Sequence, residues 1–173
     1  MIPIIPSSKS VTSKIANYLN GLLEPFVNDK IRPTIFLNET DFARKLIDYT
    51  YIDHPLSPST LFATIKILNL YSMVSHKTMS ETLYYFLFDN LAVPKLEDLS
   101  IGAIHNLLQL FLYNNIFHYN GKIYSCTKGS PSTIPLTETL ASVYLFEWQK
   151  KITRDERMIK ELYGRYDILL FVN

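Results

Sequence analysis

Ile116-Phe-His-Tyr-Asn-Gly-Lys-Ile-Tyr-Ser125 is the stretch of the sequence that decides the type of fold. Two short segments, Ile116–Tyr119 and Lys122–Ser125, flank the pair Asn120-Gly121. A type I′ turn needs a positive φ at both central residues, and Asn-Gly is a pair that tolerates this well. The stretch therefore predicts an antiparallel β-hairpin. A loop rich in Gly, Ser, Pro and Thr follows it at 128–135.

Segments with helical spacing of apolar residues lie on both sides of this hairpin. The first begins after a capping Ser10 and ends near Pro25, and the second begins at Asn38, which is a favoured cap. Thr78 and Glu81 have the spacing of a capping box and predict the start of a third helix. The faces expected to be buried are Ile15, Leu19, Leu22 and Phe26; Phe42, Leu46 and Ile47; Leu83, Phe86 and Leu87; Ile101, Ile104, Leu108 and Phe111; and Leu136, Leu140, Tyr144, Trp148 and Ile152.

Two further segments predict strands. Residues 61–68 are short, apolar and β-branched, which is typical of a mostly buried strand with Lys66 as its odd residue. Residues 163–172 predict one continuous strand. Helices followed by scattered strands and a hairpin are typical of an α+β domain, here with helices packed on a small antiparallel sheet. The 173 residues are enough for one such domain with its own core.

Composition and charge limit the classes of function. The formal net charge of +1 gives no bulk electrostatic support for a dedicated nucleic-acid binder. The 12 Tyr and 10 Phe are expected mainly in the core, and a base-stacking platform is the alternative. A single cysteine excludes an internal disulfide and indicates a reducing compartment. No apolar run is long enough for a membrane span, so an intracellular protein without a membrane segment is expected.

Several stretches, in the same order and with similar spacing, resemble the reverse transcriptases, most closely those of Penelope-like elements. Tyr119-Asn-Gly-Lys-Ile-Tyr124 resembles the Phe-Asn-Gly-Lys-Phe-Tyr strand of that family, and residues 65–75 resemble its first catalytic segment. The resemblance implies a fingers remnant at about 1–60 and a palm at about 61–173. Because the chain stops at Asn173, just after the catalytic hairpin, a truncated form with neither thumb nor endonuclease is expected.

The resemblance also implies that the catalytic carboxylates are missing. Reverse transcriptases hold two Mg²⁺ ions with aspartates, one on a strand and a pair in a hairpin turn. Those positions match Lys66, Ile168 and Leu169 here, and Asp167 is displaced by one residue. A lysine repels Mg²⁺ and the aliphatic residues cannot ligate it. We therefore expect no metal site, no cofactor and no polymerase activity.

Five matching positions remain candidates for a nucleic-acid-binding remnant. They imply weak binding of RNA or a template–primer duplex. For Lys66 two structural hypotheses stay open, namely an ion pair with Asp167 or a side chain that extends to solvent. The candidate binding residues are Tyr71, Lys128, Gly129, Arg165 and Tyr166.

Three functions compete at this point. The first is a retroelement-derived, inactive RNA-directed DNA polymerase domain. The second is a helical protein–protein interaction module with no nucleic-acid role, which the near-neutral charge and the many aromatic residues favour. The third is a decayed mobile-element reading frame. The sequence does not indicate an oligomeric state.

Overall fold

The computed structural model of the protein describes residues 12–52, 56, 58, 60, 62–154, 162–166 and 169–172. Helices and short antiparallel strands alternate along this part of the chain, so the predicted α+β class is confirmed. The helices are α1 (Ser13–Ile31), α2 (Glu39–Ile52), α3 (Leu70–Met73), α4 (His76–Asn90), α5 (Ile101–Tyr113) and α6 (Pro135–Thr153). The strands are β1 (Ala63–Lys66), β2 (Lys95–Leu96), β3 (Leu99–Ser100), β4 (Ile116–Tyr119), β5 (Lys122–Ser125), β6 (Tyr163–Tyr166) and β7 (Leu169–Val172).

The chain divides into two compact units, and each unit combines two separate segments. Unit 1 consists of Met1–Lys30 and Asn69–Glu147. Unit 2 consists of Ile31–Leu68 and Trp148–Asn173. The fingers and palm ranges expected from the resemblance are not tested by this division and stay a prediction.

Unit 1 is built around packed helices. The rings of Phe26 and Phe146 each meet the ring of Phe86 edge to face, at centroid distances of 6.1 and 5.7 Å. Thr139 on α6 donates a hydrogen bond to Asn20 on α1. Such edge-to-face contacts and partly buried hydrogen bonds fix the helices against one another. The predicted face of α5 is buried as expected, at Ile101, Ile104, Leu108 and Phe111.

The hairpin predicted from the Asn-Gly pair is confirmed. β4 pairs antiparallel with β5, and Tyr119 lies opposite Lys122 across the two-residue turn. Asn120 and Gly121 have φ values of 48° and 74°, as a type I′ turn requires. Nearly all of its side chains are exposed on both faces. We call residues 116–125 the ribbon.

Three predictions about the helices were wrong in detail. α1 continues through Pro25 to Ile31, while the predicted cap Ser10 lies outside the described residues. α4 begins one turn before the predicted capping box, because the Ser75 hydroxyl accepts a hydrogen bond from the Thr78 amide. Ile47 on α2 is 54% exposed, so the apolar stripe of this helix is narrower than expected.

Unit 2 contains a three-stranded antiparallel sheet in the order β1-β7-β6. Residues 163–172 were predicted as one strand, but they form two strands that pair with each other. β1 spans only Ala63–Lys66, and Ile65 is 40% exposed, so a mostly buried strand was also wrong. Ile35 forms a parallel bridge with Arg165 and extends the sheet beyond β6.

The aromatic residues lie at the surface more often than predicted. In the described part of the chain, Phe36, Phe86 and Phe111 are at most 2% exposed. The aromatic side chains with an exposure of 36% or more are Tyr18, Tyr51, Phe62, Tyr84, Tyr85, Phe88, Tyr113, Tyr119 and Tyr124.

Candidate functional site

The strand register of unit 2 brings two of the expected carboxylate positions together. Lys66, the last residue of β1, is the cross-strand partner of Leu169, the first residue of β7. Leu169 is also the partner of Tyr166 at the end of β6. Three neighbouring strands therefore place Lys66, Leu169 and Tyr166 in one row. Asp167 and Ile168, which connect β6 to β7 in the sequence, lie outside the described residues.

Arg165 lies in the interior of unit 2. It is 3% exposed, and its carbonyl oxygen accepts a hydrogen bond of 2.7 Å from the Phe36 amide. An arginine is rarely buried to this extent without partners, and this one has interactions within the protein. Arg165 is therefore placed to stabilise unit 2, and its guanidinium is shielded from a large ligand in solution.

Gly164 and Tyr163 on β6 also contact other segments of unit 2. A Cβ at Gly164 would collide with Cε2 and Cζ of the Phe36 ring. The Tyr163 hydroxyl donates a hydrogen bond of 3.1 Å to the side-chain oxygen of Gln149, which is 2% exposed. Burial raises the pKa of Tyr163 to about 12, while the charge of Arg165 acts in the opposite direction. This phenol is a neutral hydrogen-bond donor and is not poised as an acid.

Charged groups hold the segment around Phe36 in place. The Lys45 ammonium donates to the Ile35 carbonyl at 2.8 Å and lies 5.2 Å from the Phe36 ring centroid. Asp41 accepts from Arg44 at 2.6 Å, from the Leu37 amide at 3.1 Å, and pairs with Lys45 at 3.0 Å. The Arg44 contact, and then those to Leu37 and Lys45, keep the pKa of Asp41 well below its usual range. The Asp41 carboxylate is therefore ionised, and its oxygens contact all three of these partners.

The glycine-containing loop of unit 1 is docked through its backbone. The Gly129 amide donates to the Val74 carbonyl at 2.8 Å, and the Ser130 amide donates to the Tyr71 carbonyl at 2.9 Å. Gly129 has a φ of 64°, and a Cβ there would collide with the Tyr71 carbonyl oxygen and come within 2.6 Å of Cα of Ser72. Glycine is thus required both for the backbone conformation and for the close approach.

His76 completes the anchoring of this loop. Its Nε2 lies 2.9 Å from the Gly129 carbonyl oxygen, and its ring meets the Tyr113 ring edge to face at 5.1 Å. A carbonyl oxygen only accepts, so Nε2 carries the proton in the neutral imidazole. Burial lowers the pKa of His76, and the bond to Gly129 opposes this shift. The sequence offered no signal for this residue, since its partner is 53 positions away.

The five candidate binding residues are divided between the two units. Tyr71, Lys128 and Gly129 belong to unit 1, whereas Arg165 and Tyr166 belong to unit 2. Lys128 is exposed, Tyr71 is half-buried, and Gly129 is buried. The exposed Lys128 is therefore free to reach a ligand, while Gly129 and Arg165 are enclosed by protein. Their binding role stays a prediction.

Across the described residues, no three His, Cys, Asp or Glu side chains come together as a metal-binding group. None of the helices in that same part of the chain has both the length and the apolar character needed to cross a bilayer.

Comparisons with known proteins support the fold. No protein-family model matches the chain, and no curated protein matches it. Among solved structures, it is similar to a telomerase from Candida albicans, solved in complex with a TWJ fragment of telomeric RNA. The TM-score is 0.60 at 14% identity, over 96% of this chain and 31% of the telomerase chain. The chain thus spans about a third of that protein, which is a reverse-transcriptase-related enzyme. At this identity the likeness shows a shared fold alone.

Proposed function

We propose that the protein is a reverse-transcriptase-derived domain that does not polymerise DNA and that retains RNA binding. The observation that carries the proposal is the pairing of Lys66 with Leu169 across β1 and β7. These are two of the positions at which reverse transcriptases keep aspartates. Their direct apposition supports the alignment with that family, and their chemistry supports the loss of the reaction.

The loss of activity follows from what Mg²⁺ needs. Polymerisation requires divalent ions that contact the attacking and the leaving oxygens, and hard ions of this kind take oxygen ligands. The exposed Lys66 brings a positive charge to one position, and Leu169 brings an aliphatic side chain to its partner. The two described positions therefore do not fit Mg²⁺. On this basis we assign no step of the reaction to the protein.

RNA is the partner that the comparisons favour. The telomerase with a similar fold was solved with a fragment of telomeric RNA. We infer RNA binding from this neighbour and from the Penelope-like resemblance, and we propose a retroelement origin. A fingers segment at about 1–60 and a palm at about 61–173 are part of the same proposal.

Primer extension tests the catalytic half of the proposal. The purified chain, a primed RNA template and Mg²⁺ or Mn²⁺ are expected to give no extended primer, while an active reverse transcriptase serves as the positive control. A template-dependent product would overturn the inactive assignment.

A designed metal site tests the alignment separately. The triple variant Lys66→Asp, Ile168→Asp, Leu169→Asp is expected to bind Mn²⁺, measured by electron paramagnetic resonance, more tightly than the unaltered chain. The matched control places three aspartates on the exposed ribbon at Ile116, Tyr119 and Ile123. If the triple variant folds and binds no more Mn²⁺ than this control, the alignment with the catalytic positions is wrong.

A protein-interaction module is the second candidate, and one surface favours it. On α4, Tyr84, Tyr85 and Phe88 are 36%, 61% and 62% exposed, and their spacing places them on one side of the helix. Aromatic residues of this kind are enriched in protein interfaces. If the chain shows no binding to single-stranded RNA at low ionic strength, this second function is favoured.

A further inference from the structure

The ribbon sorts its side chains into two chemically different faces. In antiparallel strands, successive side chains alternate between faces and cross-strand partners share one face. Phe117 pairs with Tyr124, and Tyr119 pairs with Lys122. These four residues, three aromatic rings and a cation, therefore occupy the same face, which we call the aromatic face. The opposite face carries Ile116, His118, Ile123 and Ser125.

Two of the three rings of the aromatic face are exposed, and the third, Phe117, is half-buried. Phe117 and Tyr124 stack at a centroid distance of 5.5 Å with an interplanar angle of 18°. Tyr119 is 70% exposed and Tyr124 is 41% exposed. Residues two apart on a strand are separated by about 7 Å. This is about twice the spacing of stacked bases along one strand of a duplex, so the strand spacing is compatible with a base beside the Tyr119 ring.

The charge around the ribbon suits an anionic partner, although the net charge of the chain does not. Of the 17 basic and 16 acidic residues in the chain, two basic and no acidic residues fall between Leu99 and Thr137. The two are Lys122 and Lys128, and both are exposed. Neither forms an ion pair with a carboxylate within the described residues. The near-neutral total thus hides a local excess of positive charge where the exposed rings lie.

We propose that the aromatic face of the ribbon (Phe117, Tyr119, Lys122 and Tyr124) binds single-stranded RNA by base stacking, with Lys122 and Lys128 contacting phosphates. This inference rests on the proposed RNA-binding function and gives it a location. Every base has a π-face, so binding is independent of sequence and strongly dependent on salt. The paired bases of a duplex are already stacked on each other and bind less tightly. All residues of this site belong to unit 1.

Fluorescence anisotropy with labelled oligo(U) RNA of about 20 nucleotides tests the site, with single-stranded DNA and duplex RNA of equal length as comparison ligands. Tyr119→Ala is expected to weaken binding about tenfold, within the range known for loss of one stacking contact. Tyr119→Trp is expected to bind like the unaltered chain. Lys122→Ala is expected to lower the slope of log K against log salt by about 0.7, because one phosphate contact is lost.

Ile123→Ala is the matched control, because Ile123 is 75% exposed and lies on the opposite face of the same ribbon. It is expected to leave the affinity unchanged, and circular dichroism checks that each variant folds. If the chain binds RNA but Tyr119→Ala binds equally well and Lys122→Ala keeps the salt slope of the unaltered chain, the location is wrong and the proposed function stands. If the unaltered chain does not bind RNA even at low salt, the RNA-binding function fails together with the site. Tighter binding of duplex RNA would also overturn the stacking mechanism.

Discussion

The hairpins β4–β5 and β6–β7 have strands of equal length, but β4–β5 is exposed, whereas β6–β7 pairs with other parts of the chain. The ribbon β4–β5 exposes almost every side chain, and its strands pair with each other. The hairpin β6–β7 pairs with β1 on one side and bridges to Ile35 on the other. It also contains the buried Gly164 and Arg165.

The difference shows two ways of specifying a hairpin. A two-stranded hairpin is only marginally stable alone, so the ribbon depends on its Asn-Gly turn for register. The hairpin β6–β7 depends instead on contacts from distant parts of the chain, above all from the Phe36 segment. We therefore expect changes in β6–β7 to destabilise unit 2 as a whole, and changes in the ribbon to stay local.

Gly164→Ala is expected to have the largest effect. The added methyl group collides with the Phe36 ring, which is 2% exposed, and forcing extra volume into such a site costs about 1–3 kcal/mol. Chemical denaturation measures the loss, and hydrogen exchange at the Phe36 amide locates it in unit 2. Gly21→Ala is the control, because nothing lies within 4 Å of its added methyl group. Equal protection of the Phe36 amide in the Gly164 variant would contradict the packing argument.

Tyr163→Phe is expected to cost about 1–2 kcal/mol, because it leaves the buried Gln149 side-chain oxygen without its donor. The change also removes the phenol that titrates near pH 12. Absorbance at 295 nm during an alkaline titration should therefore lose the component that titrates near pH 12. A variant that keeps full stability would show that water or another donor replaces the hydroxyl.

Gly121→Ala is expected to cost the ribbon about 1 kcal/mol, since a φ of 74° strains an L-residue with a Cβ. Nothing lies within 4 Å of the added Cβ, so the cost is conformational alone. Gly121→Asn should be milder, because asparagine tolerates this region. Cross-strand nuclear Overhauser effects measure the ribbon population. A large fall in the stability of either unit would show that the ribbon is not independent.

A smaller effect is expected from pH at His76, which anchors the loop after the ribbon. Burial lowers the folded pKa, so the unfolded chain binds the proton first as the pH falls. The contribution of the buried, neutral His76 to folding stability is fully present above about pH 6.5. It is lost as the pH falls through the pKa of His76 in the folded chain. Between pH 7 and 5, exchange protection at the Gly129 and Ser130 amides should decline. His76→Gln should remove this dependence, and the Phe36 amide serves as the internal control.

The elements that could be predicted from the sequence are those specified by residues close together in the chain. Asn120-Gly121 defined the ribbon because the turn type depends on those two residues alone. The face of α5 followed from apolar spacing in the same way. The cap of α4 was placed wrongly because Ser75 and Thr78 are both of a residue type that caps helices, and the choice between them depends on packing. Local rules could not separate the two.

Other features of the structure depend on contacts between residues far apart in the sequence, and local sequence patterns did not predict them. Residues 163–172 lack a Gly, Asn-Gly or Pro signal at 167–168, so no local turn signal predicted the division into β6 and β7. The resemblance alone implied a hairpin there. The register places Lys66 opposite Leu169, two positions that the resemblance assigns to one site. The burial of Arg165 and the docking of Gly129 against the Tyr71 carbonyl depend on distant partners and had no sequence signal.

The hydrogen bond from the Phe36 amide to the Arg165 carbonyl has a consequence for biosynthesis. The two halves of unit 2 are separated in the sequence by the whole segment Asn69–Glu147 of unit 1. During translation, Ile31–Leu68 must therefore stay without its partner strands until β6 and β7 have been synthesised. Contacts of such long sequence separation form slowly. The nascent chain meanwhile presents an unpaired β1 with apolar neighbours, which is the kind of segment that chaperones protect from aggregation.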